Sequence, residues 1–338
     1  MDQKKWKWYP NVLKIMKIAT GTGLSIGLAS AAGLKYSTSA GIITLLSIQN
    51  TKKETIQVAA KRLISFVIAV CLAAVSFQIL GYTTWGIGLF LFFYAAICFQ
   101  FHMEAGLSVN TVLITHFFAE RSMAPEWILN EFLLLLIGGG IGICLNLYIP
   151  GKKQQIHQMQ LQIEVRMKQV LGELAAALTG DAPRCVLGTE LTRLEEELEH
   201  GEKQAYEEMQ NNLLSETRYY LHYMNMRKQQ ATVLERMERQ VCYLEILPQQ
   251  AQKIAGLLSQ ISQSFQEHNN AVELLEKLEQ LKMEMKEQPL PEDRTEFENR
   301  AILYQLLFEL EEFLHIKKEF VFSLSDEEIR EFWKDRTV

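Results

Sequence analysis

The sequence is poor in the groups that carry out chemistry. Its five cysteines, Cys71, Cys98, Cys144, Cys185 and Cys242, form no Cys-x-x-Cys pair and no metal-ligating spacing, so neither a disulfide framework nor a metal site is expected. His157, His200, His222, His268 and His315 show neither HxxxH nor HExxH spacing. No GxxxxGK[ST] stretch is present, which argues against ATP hydrolysis by this chain. No nucleophile stands near a base in a recognisable pattern, so a non-enzyme without cofactors is expected. Acidic side chains are scarce in the first half and long apolar runs are missing from the second. Strand-like alternation is confined to Phe320, Val321 and Phe322.

What is present divides sharply near residue 150. Residues 1–150 hold 11 Lys+Arg against 6 Asp+Glu, a net of +5, and the remaining residues hold 23 against 34, a net of −11. Such an asymmetry marks a change of solvent. An all-α protein is expected: a polytopic membrane domain over 1–150, then a cytoplasmic helical bundle over 151–338. The acidic second half argues against nucleic acid as a partner, because phosphates need clustered cations.

Six spans are predicted, at about 11–34, 36–49, 63–80, 85–101, 104–120 and 127–149. The first apolar run is longer than a signal-peptide core and is followed by further spans. Lys4, Lys5 and Lys7 with Trp6, Trp8 and Tyr9, then the basic turn with Lys52, Lys53, Lys61 and Arg62, then Lys152 and Lys153, all favour the cytoplasmic side. Both termini are therefore expected inside a multi-pass cell-membrane protein. The second span has fourteen residues, against roughly 20 for a straight crossing, yet the charges around it require the chain to return there. Gly23-x-x-x-Gly27 in span one and Gly138-x-x-x-Gly142 in span six read as close-packing faces. They are the expected surfaces of a homodimer.

Beyond residue 152 the pattern predicts amphipathic helices over 154–178, 189–200 with a break near Gly201, 202–247, 249–267, 271–287, 296–318 and 326–334. The last opens on Ser325 with Glu328 three residues on, a capping box. Glu195, Glu196, Glu197 and Glu199 read as a solvated face. The run from Arg218 to Tyr223 reads as aromatic core.

The stretch Ser39-Ala40-Gly41-Ile42-Ile43-Thr44-Leu45-Leu46-Ser47-Ile48-Gln49-Asn50, with the basic residues leading to Arg62, resembles the aromatic acid exporter family, which includes the fusaric acid resistance proteins. In that family a short second span ends in a polar turn and a basic residue opens span three. Arg62 fills that place, and Ser65 and Ala69 stand where members often carry Gly. The second half resembles the soluble helical domain of six-span members from Gram-positive bacteria. The resemblance implies efflux of small aromatic carboxylates, with membrane lipid and an aromatic acid substrate as partners.

Span five is the least apolar. Its Ser108, Thr111 and Thr115 recur on one helical stripe beside Asn110 and His116. Polar and ionisable groups in a membrane face a cavity or a partner, so Asn110, Thr111, Thr115, His116, Glu104 and Glu131 form the expected transport path. Histidine commonly exchanges a proton near neutral pH, which points to ion-gradient coupling. Asn110 and Asn146 also read as hydrogen-bonding glue between helices. Lys52, Lys53, Lys61 and Arg62 would draw an anion to the cytoplasmic mouth, besides anchoring the chain at the headgroups. The rival reading is a sensor or scaffold whose acidic domain binds a cytosolic partner.

Overall fold

The computed structural model describes residues 9–185, 187–212, 218–266 and 271–332. The lysines and tryptophans of residues 4–8, the stretch 267–270 with His268, and the end of the last predicted helix lie outside the described residues. Every regular element among the described residues is α-helical. The chain divides into two compact units, one of Met1–Pro150 with Gln210–Leu214 and the other of Gly151–Met209 with Ser215–Val338.

The first unit contains α1 (Tyr9–Ala31), α2 (Thr38–Ser47), α3 (Lys52–Leu80), α4 (Thr84–Gln100), α5 (Glu104–Glu120) and α6 (Pro125–Asn146). Val12–Ala31, Lys52–Leu80 and Pro125–Asn146 are long and apolar enough to cross a membrane, while α2 and α4 are shorter apolar helices. Their apolar side chains are widely exposed, Trp85 at 82% and Phe92 at 70% among them, as suits lipid contact. The basic stretch expected as a turn is helical. Thr51 accepts from the Glu54 amide at 3.2 Å and caps α3, so Lys52, Lys53, Lys61 and Arg62 all ride on the first three turns of that helix.

The short α2 packs between α1 and α6 and against α3 and α5. Its seat on α6 is made by the glycines read from the sequence. A Cβ at Gly138 would meet the Ala40 carbonyl oxygen at 2.5 Å, and one at Gly142 would meet Ser47 Cβ at 2.6 Å. The α6 face expected to serve a second copy is therefore filled from within the chain. On α1 the close-packing face is Gly21, Ser25 and Ala29, not Gly23 and Gly27, which have nothing within 4 Å. Two positions along an α-helix turn a side chain by about 200°, so the two faces point opposite ways.

The second unit comprises α7 (Lys153–Thr179), α8 (Gly188–Asn211), α9 (Tyr219–Cys242), α10 (Gln249–Ser264), α11 (Val272–Lys286), α12 (Arg294–Ser323) and α13 (Asp326–Phe332). It has one continuous apolar core that includes Leu171, Leu174, Leu234, Leu258 and Leu307. Gly201 sits inside α8, so the break expected there is absent. The helix expected over 202–247 is two helices, and Phe320–Phe322 is helical. The Ser325–Glu328 capping box is present, at 3.0 and 3.3 Å. Tyr219 stacks on Phe332 at 4.1 Å, which places the tyrosine run in the core. Cys185 and Cys242 are joined as a disulfide, 57 residues apart, with Cα atoms 5.3 Å apart. That pairing was not expected, because it needs the α7–α8 turn to fold back onto the end of α9.

Arg227 is the largest fully buried side chain among the described residues. It meets Glu164 at 2.6 Å, Tyr223 at 3.0 Å and Gln230 at 2.9 Å, and its guanidinium lies 4.3 Å from the Phe265 ring centroid. Burial holds the Tyr223 phenol well above its ordinary range, so it stays a donor to Glu164, at 2.7 Å.

Two outcomes test this packing. Gly138→Ala forces α2 off α6 and should cost about 1–3 kcal/mol, seen as a lower thermal midpoint in detergent. Gly139→Ala, with open space around its Cβ, should leave the midpoint unchanged. Glu164→Ala strands a buried guanidinium and should cost about 3–5 kcal/mol in denaturant unfolding of the second unit.

Candidate functional site

Two polar clusters lie at the two ends of α2, inside the first unit. The cluster at its N-terminal end centres on His116 of α5 and Glu131 of α6. His116 Nδ1 and Glu131 Oε2 are 2.8 Å apart, and the Glu131 side chain is fully buried. His116 Nε2 faces Ser39 Oγ of α2 at 3.4 Å. Tyr36 lies flat on the imidazole, with centroids 4.0 Å apart and planes within 4°. Its backbone takes the left-handed conformation, φ 57°, and its hydroxyl donates to Glu120 at 2.8 Å. Asn130 holds this loop through the Lys35 amide and carbonyl at 2.9 and 3.2 Å, and donates to Glu131 Oε1 at 3.0 Å. A carboxylate in an apolar interior needs such partners, because an unpaired one is strongly disfavoured.

The cluster at the C-terminal end centres on Arg62 of α3, only 5% exposed. Its guanidinium donates to Ser47 Oγ at 2.8 Å, to the Leu46 carbonyl at 3.0 Å and to the Ala105 carbonyl at 2.9 Å. It thereby ties the end of α2 to the start of α5. One turn further along α5, Asn110 is fully buried. Its Nδ2 donates to the Arg62 carbonyl, Ser65 Oγ and Tyr94 Oη at 3.1, 2.8 and 3.0 Å. Gly106 makes this approach possible: a Cβ there would lie 1.9 Å from Ser65 Oγ.

Between the clusters, Thr44 donates to the Gly138 carbonyl at 2.9 Å and shares a short hydrogen bond with Ser25 of α1. Hydroxyls thus run along α2 from Ser39 through Thr44 to Ser47. Asn146 of α6 donates to Thr55 at 2.6 Å and to the Gln49 carbonyl at 3.0 Å.

The residues expected to line a path separate into two groups. His116, Glu131 and Asn110 are brought into the interior. Thr111 and Thr115 bond back to their own helix, at the carbonyls of Leu107 and Val112, both at 2.6 Å. Ser108 and Thr115 are exposed, as is Glu104, whose side chain lies 3.9 Å from His102. Of the basic group Arg62 is buried and Lys52 half-buried, while Lys53 and Lys61 are exposed. Sequence reasoning missed Tyr36, Ser39, Ser47 and Tyr94. The alternation of small hydroxyls along a ten-residue apolar helix was the available signal for Ser39 and Ser47. No group of three or more metal-ligating side chains occurs among the described residues.

Gly106→Ala should break the contact between α3 and α5, lowering the thermal midpoint in detergent and leaving little folded protein. Asn110→Leu, which removes the amide from all three partners, should cost about 1–3 kcal/mol in the same measurement.

Residues 11–149 match the model of "Aromatic acid exporter family member 1", and residues 153–318 match that of the "Putative aromatic acid exporter C-terminal domain". The chain is 30% identical over 308 residues to "Uncharacterized protein YqjA" of Bacillus subtilis (strain 168), covering 91% of this chain and 95% of that protein. A crystal structure from Clostridium difficile 630 is similar over 50% of this chain and 98% of its own, at 33% identity and a TM-score of 0.45.

Proposed function

The chain belongs to the aromatic acid exporter family, and from that premise we propose that it exports small organic anions, aromatic carboxylates foremost, at the expense of a proton gradient. The observation that carries this reading is the buried His116–Glu131 pair. Ionisable pairs inside a membrane bundle are costly to keep and mark ion pathways. Histidine gains or loses a proton within the physiological range. A proton entering the pair changes its charge, and with it the bond that Ser39 makes to the imidazole.

In this reading α1–α6 all cross or enter the membrane and both termini lie in the cytoplasm. The inward-facing side carries Lys14, Lys17, Lys52, Lys53 and Lys61, in keeping with the positive-inside bias. Residues 1–150 are the transmembrane domain and 151–338 the cytoplasmic helical domain. A second copy, which six spans invite, would meet the open Gly23–Gly27 face of α1.

The test is efflux of labelled hydroxybenzoates from cells carrying the wild type, a deletion, His116→Ala or Glu131→Gln. The deletion should retain the acid. The two variants, at equal membrane abundance, should lose gradient-driven export by about tenfold or more, a barrier change of about 1.4 kcal/mol or above. Unchanged efflux and tolerance on deletion across a broad panel of aromatic acids would overturn the reading.

A further inference from the structure

Arg62 differs in what it faces from Arg227 and Lys282, two other buried cations among the described residues. Arg227 has Glu164 at 2.6 Å and Lys282 has Glu311 at 2.7 Å. Among the described residues Arg62 has no carboxylate within ion-pair distance, and all three of its acceptors are neutral. Among the described residues of its unit the one fully buried carboxylate, Glu131, is bonded to His116. A guanidinium carries five N–H donors; three are used and two remain. The end of α2 offsets part of the charge, since a helix C-terminus carries about half an elementary charge. A positive remainder is left inside a low-dielectric site, where removing an ion from water is expensive.

A second observation lies in the same cluster. Asn110 Oδ1 is buried without a hydrogen-bond partner, although its amide nitrogen serves three acceptors. The cation without a carboxylate is what internal packing alone does not call for; the Asn110 oxygen is an acceptor only, and would meet a donor group of a ligand and not its carboxylate.

We propose that Arg62 is the receptor for the carboxylate of the exported anion. This rests on the exporter reading given above and assigns the residue that binds. Two carboxylate oxygens match the guanidinium fork side by side. They would displace Ser47 Oγ and the Leu46 carbonyl, the two acceptors that α2 supplies. Anion binding therefore frees the C-terminal end of α2, whose other end touches His116 through Ser39. Arg62 stands about 15 Å along α3 from its capped start, where the apolar part of that helix begins, and it is the fully inward-turned member of the basic group.

Anionic lipid headgroups offer the same chemistry, and the experiment separates the two sources. Full-length protein is placed in nanodiscs of zwitterionic lipid and titrated with sodium benzoate by calorimetry. The variants are Arg62→Gln, Arg62→Lys, and Arg121→Gln as an exposed control, each checked for folding by its thermal midpoint. Wild type should bind benzoate, and Arg62→Gln should weaken binding by about tenfold or more. Arg62→Lys, which keeps the charge without the fork, should fall between them and serves if the glutamine variant does not fold. Arg121→Gln should match wild type. Equal benzoate affinity in wild type and both Arg62 variants would overturn the proposal while leaving the exporter reading intact. So would an Arg62-dependent effect that appears only when anionic lipid is added and never with benzoate. Absence of benzoate binding by the wild type, together with unchanged efflux on deletion, would remove the exporter reading as well.

Discussion

A ten-residue helix ends in carbonyl groups that have no partner within it, and the chain must supply their donors. At the C-terminal end of α2 the donors are Arg62, to the Leu46 carbonyl and Ser47 Oγ, and Gln49, whose amide also reaches the Leu46 carbonyl at 2.7 Å. This one guanidinium fixes where α2 stops, joins it to α3 and reaches α5 through Ala105. The turn at Asn50 and the cap at Thr51 lie between the two ends that this bond joins. At the other end, the Lys35–Asn130 clamp and the ring of Tyr36 on His116 hold the chain as α2 begins.

The two units treat a buried cation in opposite ways. In the second unit Arg227 is enclosed by Glu164, Tyr223 and Gln230, with Phe265 beside its guanidinium, and it serves packing. In the first, Arg62 is enclosed by neutral oxygens, which leaves its charge answerable to something that arrives. The same side chain is thus structural in one setting and receptive in the other, and the difference is a single carboxylate.

The all-helical fold was legible because charge and hydropathy change together near residue 150 and helical periodicity is strong on both sides. The capping box at Ser325 and Glu328 was legible because it is local. The three hydrogen bonds of Asn110 were partly legible, since an amide in an apolar run must find partners. The inward turn of Arg62 was not. Four cations close in sequence look alike, and only the helical phase set by the Thr51 cap separates Arg62 from Lys61. The packing face of α1 was misread for a similar reason: Gly23 and Gly27 carry the familiar spacing, while Gly21, Ser25 and Ala29 carry the same spacing with one glycine fewer. The disulfide between Cys185 and Cys242 depends on a tertiary approach across 57 residues, to which sequence spacing is blind.

The floor beneath α2 is made of Gly138 and Gly142, with backbone and Cβ atoms in direct contact. Interlocked side chains resist translation because each knob must leave its hole before the next position is reached. A glycine floor has no knobs. On that face α2 is held along its own axis by polar latches, Thr44 on the Gly138 carbonyl, Ser47 on Arg62 and Ser39 on His116, while Ile43 packs among Phe66, Leu113 and Leu135. Toward α6 the helix lies on a smooth floor, secured by catches at its two ends and its middle, and two of those catches are held by ionisable side chains.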